Sequence, residues 1–155
     1  MKHAAVLGIF LLTLCSCMST EAEEAWVSSA QAASESAQRA SSATELETAT
    51  RDLSHALNAR VPSGIDALHR RIVRQDLAYQ LASIAQRRGR LDDALRAADR
   101  GLREGTADDI FSANLYIARG HAHEALNHPR EAASDYYRAL IINEVLLRHA
   151  MGDHE

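Results

Sequence analysis

Three small residues recur at one interval: Ala82, Ala94 and Gly101 each stand 38 positions before Gly120, Ala132 and Ala139. Two antiparallel helices approach closely only where side chains are small, and larger apolar residues fill the holes on either side. Leu81, Ile84, Leu91, Leu95 and Leu102 are placed to do the filling in the first stretch, and Tyr116, Tyr136 and Leu140 in the second. Composition agrees. Seven Gly and two Pro occur in 155 residues, and the dominance of Ala, Leu, Arg, Glu and Asp favours helix while leaving no glycine-rich loop to cradle a phosphate. The expected fold class is all-α.

Arg119-Gly120-His121-Ala122, followed by Glu131-Ala132-Ala133-Ser134-Asp135-Tyr136-Tyr137-Arg138-Ala139-Leu140, resembles the tetratricopeptide repeat, a helix-turn-helix unit of about 34 residues. The extra length falls in the connection Gly105-Thr106-Ala107-Asp108. The resemblance implies antiparallel helix-turn-helix repeats stacked as an α-solenoid, with two clear repeats and an upstream helical region. The expected helices cover roughly 64–88, 91–104, 107–126 and 129–150. Ser63 with Asp66, and Thr106 with Asp109, have capping-box-like spacing. Gly89 fits a helix stop, Asp92 and Asp93 a first turn, and Pro129 the start of the last helix.

The chain also departs from the family pattern. Arg119 stands where the family usually has Leu, Ala85 and His123 where it often has an aromatic, and Ala98 where it often has a larger residue. A thin core is expected. Thr106 and Glu144 replace the family's frequent closing Pro, so the last helix should run on. Two units are fewer than the three or so that a solenoid needs, so residues around Glu45 to Ala59 are expected to supply another helix pair, with Ala49, Ala56 and Leu57 as its trace.

The N-terminus carries an address. Lys2 precedes an apolar run from Ala4 to Leu14, well short of the roughly 20 residues needed to span a bilayer. Leu14-Cys15-Ser16-Cys17 then resembles the lipobox of bacterial lipoproteins, which implies cleavage before Cys17 and a diacylglyceryl thioether on its sulfur. Two or three acyl chains make a stable anchor. Met18 stands where that family's inner-membrane members carry Asp, so the resemblance implies a lipid-anchored envelope protein, in the outer membrane and facing the periplasm. No cysteine remains downstream for a disulfide or a Cys-based metal site. The expected organisation is a signal peptide over 1–16, a lipidated Cys with a Ser/Ala-rich tether or alanine-faced helix over 17–44, and the helical domain over 45–155. Trp26 is either a staple closing that first helix onto the domain or a contact for a membrane interface or partner.

In the tetratricopeptide family the first helix of each unit lines a groove for a segment of another protein. Carried over by position, this implies Tyr79, Ser83, Gln86 and Arg87 in one unit and Asn114, Ile117, His121 and Glu124 in the next. Leu140, Ile141, Ile142, Val145, Leu146 and Leu147 make the last helix apolar on more than one side. It either docks a partner or a second copy, or is covered by the first helix folding back. The formal net charge of −4 offers nucleic acid no basic surface. Arg70, Arg71, Arg74, Arg87, Arg88 and Arg90 read as a solvated face, or less favourably as a site for lipid headgroups or an acidic protein. His121 and His123 point about 200° apart on one helix, which disfavours a metal site with His128. No catalytic motif or cofactor-binding pattern is present, so no enzyme activity and no cofactor are expected. The leading expectation is an envelope lipoprotein acting as a protein-protein adaptor; the alternatives are a pilot or assembly factor for an outer-membrane complex, or a structural homo-oligomer.

Overall fold

Local stop and start signals divide the chain into helices of 13 to 36 residues. A computed structural model describes the backbone of residues 4–152 and the side chains of residues 20–152. It contains, among these residues, six helices and no strand: α1 (Ala4–Arg39), α2 (Ala43–Asn58), α3 (Ala67–Arg87), α4 (Leu91–Arg103), α5 (Ile110–Ala125) and α6 (Pro129–Met151). Cys17, the expected lipidation site, lies outside the residues described with side chains.

The caps show why the helices begin where they do. At α2 the Ser42 hydroxyl accepts the Glu45 N–H, while the Glu45 carboxylate accepts the N–H groups of Ser42 and Ser41 at 2.9 and 2.8 Å. This is a full capping box. The boxes expected at Ser63 and Thr106 do not form. Asp66 and Asp109 are themselves the N-caps, accepting from the backbone of His69 at 3.0 Å and Ser112 at 2.9 Å. A short carboxylate reaches the third helical N–H by itself, so α3 and α5 start three residues later than the spacing predicts. Gly89 turns the chain between α3 and α4 at φ +67°, and Asn127 does the same between α5 and α6 at φ +60°; after Gly, Asn is among the residues that best tolerate this left-handed region. Pro129 opens α6, where its missing N–H costs nothing.

The six helices form three antiparallel hairpins, α1–α2, α3–α4 and α5–α6, in a row. Each first helix packs on the next first helix, and each second helix packs on the following first helix. The hairpins share a register. Ser34, Ala82 and Gly120 each precede the last residue of their helix by five; Leu46, Ala94 and Ala132 are each the fourth residue of theirs, and Leu53, Gly101 and Ala139 the eleventh.

In the later hairpins a glycine stands where a neighbouring helix comes close. A Cβ on Gly101 of α4 would lie 2.7 Å from Leu115 of α5 and 2.9 Å from the Ala78 Cβ of α3, and one on Gly120 of α5 would lie 2.7 Å from the Tyr136 ring of α6. The upstream hairpin carries its bulk on the second helix. Ala30, Ala33 and Ala37 of α1, with Ala40 just beyond it, and Leu46, Leu53 and Leu57 of α2 are all buried in one core with Leu77, Ile84 and Leu115. The segment 17–44, open between tether and helix, is helical through Arg39, and its residues Ala30, Ala33, Ala37 and Ala40 enter this core. Trp26, 7% exposed, is consumed by the fold in the manner of a staple and is not offered to a membrane.

Polar side chains tie the hairpins together. Ser34 donates to Asp76 at 2.7 Å, Arg87 to the Ala40 carbonyl at 2.6 Å, Arg100 to the Leu57 carbonyl at 2.9 Å, and Gln75 to the Gly105 carbonyl at 2.7 Å. Arg71 and Arg74 pair with Asp109 and Glu104 at 2.7 and 3.0 Å. Much of the arginine face is thus engaged within the fold. Beside the small Ala85 the core is open: a crevice of about 260 Å³ lies over Leu81, Ala85 and Ala97, between α2, α3 and α4.

Candidate partner-binding face

Tyr79, Ser83, Gln86 and Arg87 lie on α3, and Asn114, Ile117, His121 and Glu124 on α5, helices that pack directly on one another. Their spacings of three and four residues keep each set on one face of its helix. Four of the eight side chains are already committed within the chain. Gln86 donates to the Ala118 carbonyl of α5 at 2.5 Å, and Arg87 reaches back to α1. His121 meets the Tyr136 ring edge-on at 5.6 Å, and Glu124 accepts the Tyr136 hydroxyl at 2.6 Å. Tyr79 is half-buried against the main core. Ser83, Asn114 and Ile117 are also half-buried; among the described residues, the polar groups of Ser83 and Asn114 engage no neighbour.

The structure thus splits the expected groove into a spent part and a free part. Gln86 and Arg87 clamp first helices to one another, and His121 and Glu124 turn toward α6. What remains for a ligand is four half-buried side chains, Tyr79 and Ser83 of α3 and Asn114 and Ile117 of α5, with a phenol, a hydroxyl, a carboxamide and an aliphatic surface. Such a set can hydrogen-bond a peptide backbone and bury an apolar side chain. It holds no cluster of charge.

A further network has a spacing in sequence that carries no motif. Arg119 donates from Nε and Nη2 to the two oxygens of Asp135 at 2.9 and 2.6 Å, and from Nη1 to Asp99 at 2.7 Å. Its guanidinium also lies 5.5 Å from the centre of the Tyr116 ring. Asp135 is 4% exposed. The bidentate bond from Asp135 pushes the Arg119 pKa above its ordinary value, against the opposing effect of burial. A partly buried guanidinium at this place requires an opposite charge, and Asp135 supplies it. The triad joins α4, α5 and α6 and so clamps three helices together.

No three His, Cys, Asp or Glu side chains converge to hold a metal among the described residues. His123 and His128 come within 5.7 Å, ring centre to ring centre, and His121 is occupied with Tyr136. No helix among the described residues is long and apolar enough to cross a membrane. No known protein family matches the chain, and neither a curated protein nor a solved structure is similar to it. What can be stated of its class is that it is an all-α protein of three packed helix hairpins.

Proposed function

We propose that this protein is a bacterial cell-envelope lipoprotein, anchored through Cys17, that uses a tetratricopeptide-like solenoid of three hairpins to hold a segment of another envelope protein. The observation that supports the reading is the order of packing: first helices lie side by side, and the α3–α5 pair leaves Tyr79, Ser83, Asn114 and Ile117 accessible on its surface. The action is binding without chemistry, and no cofactor takes part. The partner is an extended or helical segment with an apolar side chain for Ile117 and Tyr79 and backbone groups for Ser83 and Asn114. The lipid places this surface at the periplasmic face of the outer membrane.

Cross-linking and affinity capture from native membranes test the reading, with the intact protein compared with Ile117→Glu and Cys17→Ser variants. One reproducible partner lost in Ile117→Glu, and release from the membrane in Cys17→Ser, are expected. A partner profile indifferent to Ile117→Glu would remove the groove from the proposal, and membrane retention of Cys17→Ser would remove the anchor.

A further inference from the structure

The two ends of the hairpin row lack neighbours at positions whose equivalents in the interior are buried or meet another part of the fold. Tyr137 and Leu140 of α6 stand at the places of Asp99 and Leu102 in α4. There Asp99 accepts from Arg119 of the following hairpin, and Leu102 packs on the main core. In α6 nothing follows, and Tyr137 and Leu140 are 63% and 64% exposed. The stripe continues through Glu144 to the exposed Leu147 and Met151, at alternating spacings of three and four. It lies on the opposite side of the helix from Ala132, Asp135, Ala139 and Ile142, the residues α6 buries. Among the described residues α6 packs only on α5, so α1 does not fold back over it.

At the other end, Val27 and Ser29 of α1 occupy the places of Gln75 and Leu77 in α3 and of Ala113 and Leu115 in α5. Those four are fully buried, whereas Val27 is 42% exposed and Ser29 is open to solvent. Beside them Ser29, Ala32 and Ala33 of α1, with Arg51, Asp52 and His55 of α2, line an open groove of about 430 Å³.

We propose that a second copy of this chain docks here, the α6 stripe of one protomer seating in the α1–α2 groove of the next. The two surfaces are opposite in size: Tyr, Leu and Met project from one, and Ser and Ala floor the other, the same pairing of bulk with small residues that holds the hairpins together within a chain. Each surface also carries one cation and one anion, so that every charge can meet its opposite across the contact. Glu144 and Arg148 accompany the stripe, and Arg51 and Asp52 rim the groove. The Glu144–Arg148 contact is 3.7 Å long and exposed, so it exchanges partners at little cost. Because two different surfaces meet, the contact is heterologous and propagates as an open row instead of closing on itself as a dimer. This inference goes beyond the adaptor reading and does not depend on the α3–α5 residues.

Sedimentation velocity of the full chain in detergent, over a concentration series, tests it with Leu140→Glu and Ala32→Glu. Both positions are exposed, and unchanged circular dichroism and melting would verify that the variants fold. Each variant alone should associate at least ~10-fold more weakly. Mixed together they should form a one-to-one heterodimer and nothing larger, because Leu140→Glu retains an intact groove and Ala32→Glu an intact stripe. Three results would overturn the proposal: an unmodified chain that remains monomeric to about 100 μM, association that survives Ala32→Glu but not Leu140→Glu, as a symmetric α6–α6 pair requires, or a mixture that yields no heterodimer.

Discussion

Replacing Arg119 by Leu should destabilise this protein although it removes a charge from a half-buried site. The substitution deletes two charge-assisted bonds to Asp135 and one to Asp99. Hydrogen bonds to charged groups contribute about 1.5–3 kcal/mol each, but Asp99 is 43% exposed and Arg119 25% exposed, so water replaces part of what is lost. The dominant cost is the Asp135 carboxylate, 5% exposed, left without a cation; breaking a buried pair from one side costs about 3–5 kcal/mol. With the exposed part discounted, Arg119→Leu should lose about 3 kcal/mol. Removing both charges is a different perturbation: Arg119→Leu with Asp135→Leu should recover to within about 1 kcal/mol of the parent, because no uncompensated charge remains. Urea titrations followed by circular dichroism at the helix band measure both of these variants and Asp135→Leu. A single variant that loses under about 1 kcal/mol, or a double variant no better than the worse single, would refute the assignment of the cost to a stranded carboxylate.

Other substitutions probe separate features. Gly101→Ala should cost about 1–2 kcal/mol in the same assay, since overpacking at Leu115 and Ala78 outweighs the roughly 1 kcal/mol that Ala gains over Gly in a helix; a stabilised variant would mean that the helices separate freely. The N–H groups of Ser42 and Ser41 hold the Glu45 carboxyl down at about 2, from an ordinary 4.5. Its folded value is depressed, so its contribution is complete above about pH 4.5 and is lost as pH falls toward 2; Glu45→Gln should flatten the acid limb of stability over that window. Burial, and then the bond to Glu124, raise the Tyr136 phenol to about 12. Ultraviolet titration should show one tyrosine ionising late, and Glu124→Gln should bring it earlier. Ala85→Phe should raise the melting temperature by filling the crevice over Leu81 and Ala97; a lower melting temperature would show that the crevice cannot accept a ring.

The later hairpins were legible in the sequence because their chemistry is local. Gly89, Asp92 and Pro129 sit beside the boundaries they set, and the small residues of α4 recur in α6 at one interval. The upstream hairpin was legible only as a trace. Its register places Leu46 and Leu53 where the others have Ala or Gly, with the compensating alanines moved to α1, so a search for recurring small residues passes over it. The caps failed for a related reason: Ser63 and Thr106 have acceptable spacing, but Asp66 and Asp109 win by reaching the third N–H themselves.

The candidate face shows the same division. Position along a helix placed Tyr79, Ser83, Asn114 and Ile117 on α3 and α5, yet it could not tell them from Gln86, Arg87, His121 and Glu124, which have similar polarity and spacing. Those four are spent on Ala118, Ala40 and Tyr136, partners between 12 and 47 residues away, and the pairing of Arg119 with Asp99 and Asp135 is equally invisible until three helices meet. By itself, the sequence determined that the chain is helical, where its later helices turn and which residues let them approach, because propensity, capping and side-chain size act over a few residues. Only the tertiary structure decided that α1 belongs to the core, which polar groups are already satisfied and which apolar stripe is left bare, because each depends on what lies across an interface from residues far along the chain.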